Sequence, residues 1–233
     1  MLTPKLRFTP EERLRDMDEQ GVDVQVISVA TPLFGYYLEA AQGRQLAREV
    51  NDEIAAMTRQ WPTRFAGLAT LPVQDVDAAI DELARAVQVL GLKGAELDTV
   101  VNTLNWDEPH FLPFFKAAES MGAVLFFHPQ PHANLLLSRT EKYGLTNSIG
   151  VPLEDTLVLA TLIFGGILDG LPRPQGMHCP WGWSGLFWHG ASGSRLAGPL
   201  RSPHASPQAP EHLPASAVLR LPDEQRGGAA LFN

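Results

Sequence analysis

The chain has 233 residues, 45% of them hydrophobic and 19% charged, enough to bury one sizeable core and too apolar for a disordered, collagen-like or disulfide-scaffold protein. Its 18 Lys+Arg against 26 Asp+Glu give a net charge of -8, which excludes the phosphate neutralisation behind most nucleic-acid binding. The single cysteine, Cys179, permits no internal disulfide, the start Met1-Leu2-Thr3-Pro4-Lys5 lacks the apolar core of a signal peptide, and no uninterrupted apolar run is long enough to span a membrane. The compartment expected from these features is the cytoplasm.

The first helix starts at Thr9-Pro10-Glu11-Glu12: Thr9 is an N-cap, Pro10 takes the first helical position, Glu12 closes a capping box, and Gly21 ends the helix. Val22, Val24, Val26, Ile27 and Val29 follow as a β-branched run suited to a buried parallel strand. Leu46, Val50, Ile54, Met57 and Trp61 lay one apolar stripe along a second helix, ended by Pro62. Phe65 to Leu71 reads as a short buried strand. Val76, Ile80, Leu83, Val87 and Leu90 form the next helix stripe, closed by Gly91, and Gly94 to Leu97 the next strand. Phe111, Leu112, Phe115, Ala118 and Met121 form a further helix face ending at Gly122. Ala123 to Phe127 is then a continuous apolar strand that delivers His128-Pro129, and a last helix runs from about Leu153 to Leu168.

This alternation predicts an α/β fold with a parallel sheet. No G-x-G-x-x-G or P-loop follows any strand, which removes the main support for nucleotide chemistry and favours a TIM-type barrel, with its chemistry at the C-terminal ends of the strands. His128 is the last residue of its strand, where an imidazole can hold a divalent metal or move a proton; a turn histidine rigidified by Pro129 fits the same pattern. Glu96 and Asp98 flank a strand end and can reach the same mouth, or are ordinary turn carboxylates. His132 lies four residues after His128, but Pro129 and Pro131 forbid a helical pair. His110, beside Glu108, reads as a surface residue, and Cys179 as an inert thiol.

Composition divides the chain near Gln175. The 58 residues from Gly176 to Asn233 hold 8 Gly and 7 Pro, 15 in all, against 24 in the preceding 175. That tail has no lysine and carries Trp181, Trp183 and Trp188 in one stretch. Residues 1–175 are therefore expected to form a partial barrel domain and 176–233 an irregular Pro/Gly-rich extension.

Gly21 to Val26, Trp61 to Pro72, Phe114 to Glu119 and Phe126-Phe127-His128-Pro129 together resemble the amidohydrolase-related, metal-dependent decarboxylases, and within them the aminocarboxymuconate-semialdehyde decarboxylase group. The resemblance covers roughly residues 8 to 172. It implies a distorted (β/α)8 barrel carrying zinc, bound by a His-x-His pair on the first strand, a histidine matching His128 and a late aspartate, with a further histidine in Ala-His-Gly-Gly-Gly as acid/base. Carried over, it makes the chain a carboxy-lyase acting on a small unsaturated or aromatic carboxylic acid, and a possible homodimer. The alternatives are a metal-dependent hydrolase of a lactone or cyclic amide, and a non-catalytic remnant.

This sequence departs from that pattern. It shows no His-x-His ahead of the first helix, no His-Gly-Gly-Gly after Leu171 and no aspartate in the expected late motif, so the barrel is expected to be incomplete, zinc weak or absent, and His128 the one metal ligand. Gln130 stands where the aminocarboxymuconate enzymes carry an aromatic residue, which argues against that particular substrate. Gly176 to Trp183 can be encoded by codons that, read one nucleotide later, give Val-Cys-Ile-Ala-His-Gly-Gly-Gly; the unique codons of Met177, Trp181 and Trp183 force the cysteine and two of the glycines. The expectation is that the chain from about Gln175 onward is an out-of-frame translation of the family's missing strands.

Overall fold

The computed structural model describes residues 8–130, 137–171 and 177–178, the last two and residues 137–138 by their backbone alone. Helix α1 spans Pro10–Gln20. Its capping box is present: the Glu12 amide donates to Thr9 Oγ1 at 3.2 Å and the Thr9 amide to Glu12 Oε2 at 2.8 Å. Gly21 ends it in the left-handed conformation at φ 68°, which costs a residue without Cβ least.

Five strands follow: β1 (Gln25–Ile27), β2 (Phe65–Gly67), β3 (Gly94–Leu97), β4 (Val124–Phe127) and β5 (Met177–His178). Each is parallel to the next: Gln25 lies beside Phe65, Gly94 beside Val124 and Leu125 beside Met177, with an Ala69–Ala95 bridge joining β2 to β3. The strand order therefore follows the chain with no reversal, which is the connectivity of a barrel, whereas a doubly wound sheet turns back at a switch point. Helices α2 (Ala40–Gln60), α3 (Val76–Ala84), α4 (Leu112–Ser120), the short α5 (Leu137–Thr140) and α6 (Val151–Phe164) fill the connections.

The two faces of this arc differ because side chains alternate along a strand. Ala69, Leu71, Ala95, Leu97, Leu125 and Phe127 point to the helices and form the core with Leu83, Phe115 and Val158. Ser28, Thr70, Glu96, Asp98, Phe126 and His128 occupy the other, inner face. Trp106, fully buried, centres an aromatic cluster, its ring centroid 4.8 Å from Phe111 and 5.7 Å from Phe127.

Three expectations need correction. The Val22–Val29 run is not a fully buried strand: only Gln25–Ile27 is extended in a ladder, and Val24 and Val26 are exposed because one side of β1 faces the open interior of the arc. The most buried face of α2 is not its large apolar stripe but the small and polar line Gly43, Ala47, Asn51 and Ala55, with Ile54, since the helix lies close against β2. Met177 and His178, assigned to the irregular tail, form β5 beside β4; the rest of the tail lies outside the described residues. Among the described residues one helical stretch, Thr146–Phe164, is long and apolar enough to cross a membrane by composition. It carries Glu154 and Asp155 buried along with Val158 and Leu162, as a helix of the barrel layer does.

Candidate active site

His128 follows directly on β4, its amide donating to Leu97 O at 2.7 Å, which continues the β3–β4 ladder by one residue and sets the imidazole on the inner face beside Asp98. The ring is half-buried. Its Nδ1 lies 3.2 Å from Pro129 O, a carbonyl that accepts from the ring in the tautomer with hydrogen on Nδ1.

Asp98 joins several of the described residues at this end of the barrel. It is 1% exposed. Oδ1 accepts from the Thr99 amide at 2.7 Å and the Gln130 amide at 3.3 Å, and Oδ2 from Gln130 Nε2 at 2.9 Å. Its own amide donates to Tyr36 Oη at 3.3 Å and its carbonyl accepts from Trp106 Nε1 at 2.8 Å. The loops after β1, β3 and β4 thus meet on one residue. Burial raises the Tyr36 hydroxyl well above its ordinary range, and the nearby Asp98 and Glu96 carboxylates add to that.

Glu96 lies one pleat deeper on the same face, buried, with no hydrogen-bond partner for Oε2 among the described residues. Burial pushes its carboxyl up to about 7, partly offset by a hydrogen bond from Ser28. His110 is exposed with its ring tilted against Phe111, and Glu108 beside it is exposed too, so neither joins the site. His132 and Cys179 lie outside the described residues. A shallow depression bounded by Met17, Asp18, Val22 and Arg64 lies at the opposite, N-terminal end of β1 and β2, where Arg64 is already committed to Asp18 at 2.6 Å.

The site can present one imidazole nitrogen beside a neutral phenol and an amide-clamped carboxylate. Among the described residues no group of three or more His, Cys, Asp or Glu side chains is placed to hold a metal ion, and catalytic zinc ordinarily takes three protein ligands. These residues therefore do not form a metal cage by themselves. Sequence reasoning located His128, Glu96 and Asp98 from strand ends. It missed Tyr36 and Trp106, which sit in loops where no periodicity marks them.

Residues 2–220 match the amidohydrolase family, and the chain belongs to that family. It is 36% identical over 166 residues to 2-amino-3-carboxymuconate-6-semialdehyde decarboxylase of Dictyostelium discoideum, covering 71% of this chain and 46% of that protein. The fold superposes on 5-carboxyvanillate decarboxylase of Sphingomonas paucimobilis with a TM-score of 0.66 at 33% identity, over 74% of this chain and 50% of that one. It also superposes on a dihydroxybenzoic acid decarboxylase of Polaromonas sp. JS666, crystallised with manganese and 2-nitroresorcinol, with a TM-score of 0.63 at 26% identity, over 74% and 53% of the two chains. The chain spans about half the length of these relatives.

Proposed function

We propose that this chain carries one side of the active site of a carboxy-lyase acting on a small aromatic or unsaturated carboxylic acid, with His128 as one ligand of a divalent metal. The observation that carries the reading is His128 itself: an imidazole at the C-terminal end of a barrel strand, with Nδ1 held 3.2 Å from Pro129 O, in a chain whose relatives are decarboxylases. Zinc is the expected metal, and the Polaromonas relative holds manganese.

The described residues do not complete a cage, so no reaction step is assigned to a metal. Decarboxylation breaks the bond between the carboxyl carbon and the ring or chain carbon, leaves the electron pair on that carbon and needs a proton delivered there. What this chain supplies is the orientation of His128 and a dry, hydrogen-bonded wall of Tyr36, Asp98 and Gln130 that limits where a planar acid can lie. A single imidazole binds a divalent ion weakly. The purified chain is accordingly expected to hold far less than one zinc or manganese per molecule and to release no carbon dioxide from 2,6-dihydroxybenzoate.

The test is metal analysis with a carbon dioxide assay, run on this chain and on a version re-framed by one nucleotide after Gln175 and extended upstream of Met1. Stoichiometric metal in the chain as it stands would contradict the incomplete site. A re-framed chain that binds metal and opens a lactone or cyclic amide without releasing carbon dioxide would replace the carboxy-lyase reading with the hydrolase one.

A further inference from the structure

We propose that Asp98 is a positioning residue that acts on His128 through a single peptide group and sets which ring nitrogen the imidazole presents. The inference rests on reading His128 as the site's working imidazole. Its test reads the ring without metal or substrate, so either can fail while the other stands.

The geometry is a three-part relay. The Pro129–Gln130 peptide is trans and planar, so its N–H and C=O leave opposite edges of one rigid unit. On one edge the Gln130 amide donates to Asp98 Oδ1 at 3.3 Å, and on the other Pro129 O accepts from His128 Nδ1 at 3.2 Å. Rotating this peptide breaks both contacts together. Proline at 129 fixes its own φ, which removes one of the torsions by which its carbonyl could swing away from the ring.

Asp98 is built to hold that plane. Its carboxylate is clamped by the Thr99 amide at 2.7 Å and by Gln130 Nε2 at 2.9 Å, and its backbone carbonyl is fixed by the Trp106 indole at 2.8 Å. These bonds engage both carboxylate oxygens and hold the carboxylate in one orientation. The negative charge adds a second effect. A peptide N–H donating to a carboxylate polarises its own C=O, which then accepts more strongly from Nδ1–H. Shape and charge both favour hydrogen on Nδ1 and a lone pair on Nε2.

The experiment is long-range proton–nitrogen correlation on the 15N-labelled, 233-residue chain at about pH 8, where an ordinary imidazole is neutral. The wild-type His128 ring is expected to be mostly the Nδ1–H form. In Asp98→Ala the Nε2–H form becomes the major one, and the residue-130 amide exchanges about ten- to a hundredfold faster, the loss expected for a hydrogen bond to a charged group. Asp98→Asn, which keeps a side-chain acceptor and can pair with a turned Gln130 amide, restores the Nδ1–H form. Asp98→Ser, too short to span the gap, serves in place of Asp98→Ala should that variant not fold. A wild-type ring carrying its hydrogen on Nε2 overturns the proposal outright. So does an Asp98→Ala or Asp98→Ser chain that loses thermal stability while its His128 tautomer stays as in the wild type.

Discussion

Asn51 and Thr70 are joined by two opposed hydrogen bonds, Thr70 N–H to Asn51 Oδ1 at 2.9 Å and Asn51 Nδ2 to Thr70 O at 3.0 Å. The β1–β2 ladder ends where the Leu68 amide reaches Ile27 O, so Thr70, two residues further along, has no strand on that side. A side-chain amide from α2 stands in for the missing strand, donor to acceptor and acceptor to donor. Asn51 Nδ2 also donates to the buried Glu82 at 2.7 Å, which Arg85 in turn neutralises at 2.8 Å.

Replacing Asn51 by Leu therefore strands a buried N–H, a buried C=O and part of a buried carboxylate at once. At about 1–3 kcal/mol for each unsatisfied group, the loss expected is roughly 3–5 kcal/mol. Asn51→Asp keeps the acceptor for Thr70 N–H but sets a second carboxylate against Glu82, and should also destabilise. Urea unfolding measures both, and a midpoint equal to the wild type's for Asn51→Leu would show that these bonds contribute nothing net.

Glu96 gives the stability curve a sign that most carboxylates do not. Its folded-state carboxyl lies near 7 against an ordinary 4.5, so between those values the folded chain holds a proton that the unfolded chain has released. Stability is then fully present below about pH 4.5 and falls as pH rises to about 7, by an amount on the order of 3 kcal/mol. Glu96→Gln keeps the shape without the titration and should flatten this fall. Denaturation midpoints taken from pH 4 to 8 on both chains decide it, since parallel curves would place the slope elsewhere.

Gly94 opens β3 at φ 152°, and a Cβ there would run into the Val124 backbone across the β3–β4 ladder. The obstacle is main chain, so no side-chain rotation relieves it. Gly94→Ala is expected to cost about 3 kcal/mol or more and to loosen the pairing that carries His128. Thermal denaturation would show the loss, and faster exchange of the His128 amide would locate it; an unchanged melting temperature would mean that the strands separate at no cost.

What could be read from the chain follows from how local each signal is. Thr9, Glu12 and Gly21 bound α1 through contacts within a few residues, and Gly91 and Gly122 end helices for the same kind of reason, so these elements lie close to where the sequence sets them. The strand ends, and with them His128, Glu96 and Asp98, follow from the alternation. The Asn51–Thr70 pairing does not, because the inward face of α2 is chosen by how closely the helix approaches β2, and small residues there leave no apolar stripe to read. Nor does the convergence of Tyr36, Asp98 and Gln130: it depends on three loops meeting in space, and Tyr36 shows its role only as the acceptor for the Asp98 amide.

The last prediction concerns the coding DNA after Gln175. Met177 and His178 run parallel to β4, beside Leu125 and Phe126, which is where the next strand of a barrel belongs. Shifted by one nucleotide, the same stretch can encode Val-Cys-Ile-Ala-His-Gly-Gly-Gly, an apolar strand followed by a histidine at its C-terminal end, the position on β5 that His128 holds on β4. A codon choice can be made to fit at single positions, but the forced cysteine and glycines leave less freedom, and Pro210 to Leu231 can be shifted the same way into a stretch with one aspartate. The family match itself continues to residue 220, into this tail, so protein-level similarity does not decide between the frames. Sequencing the DNA does: the expected result is an open second frame carrying both motifs, and stop codons or unrelated residues in that frame would establish the Pro/Gly-rich tail as the chain's own.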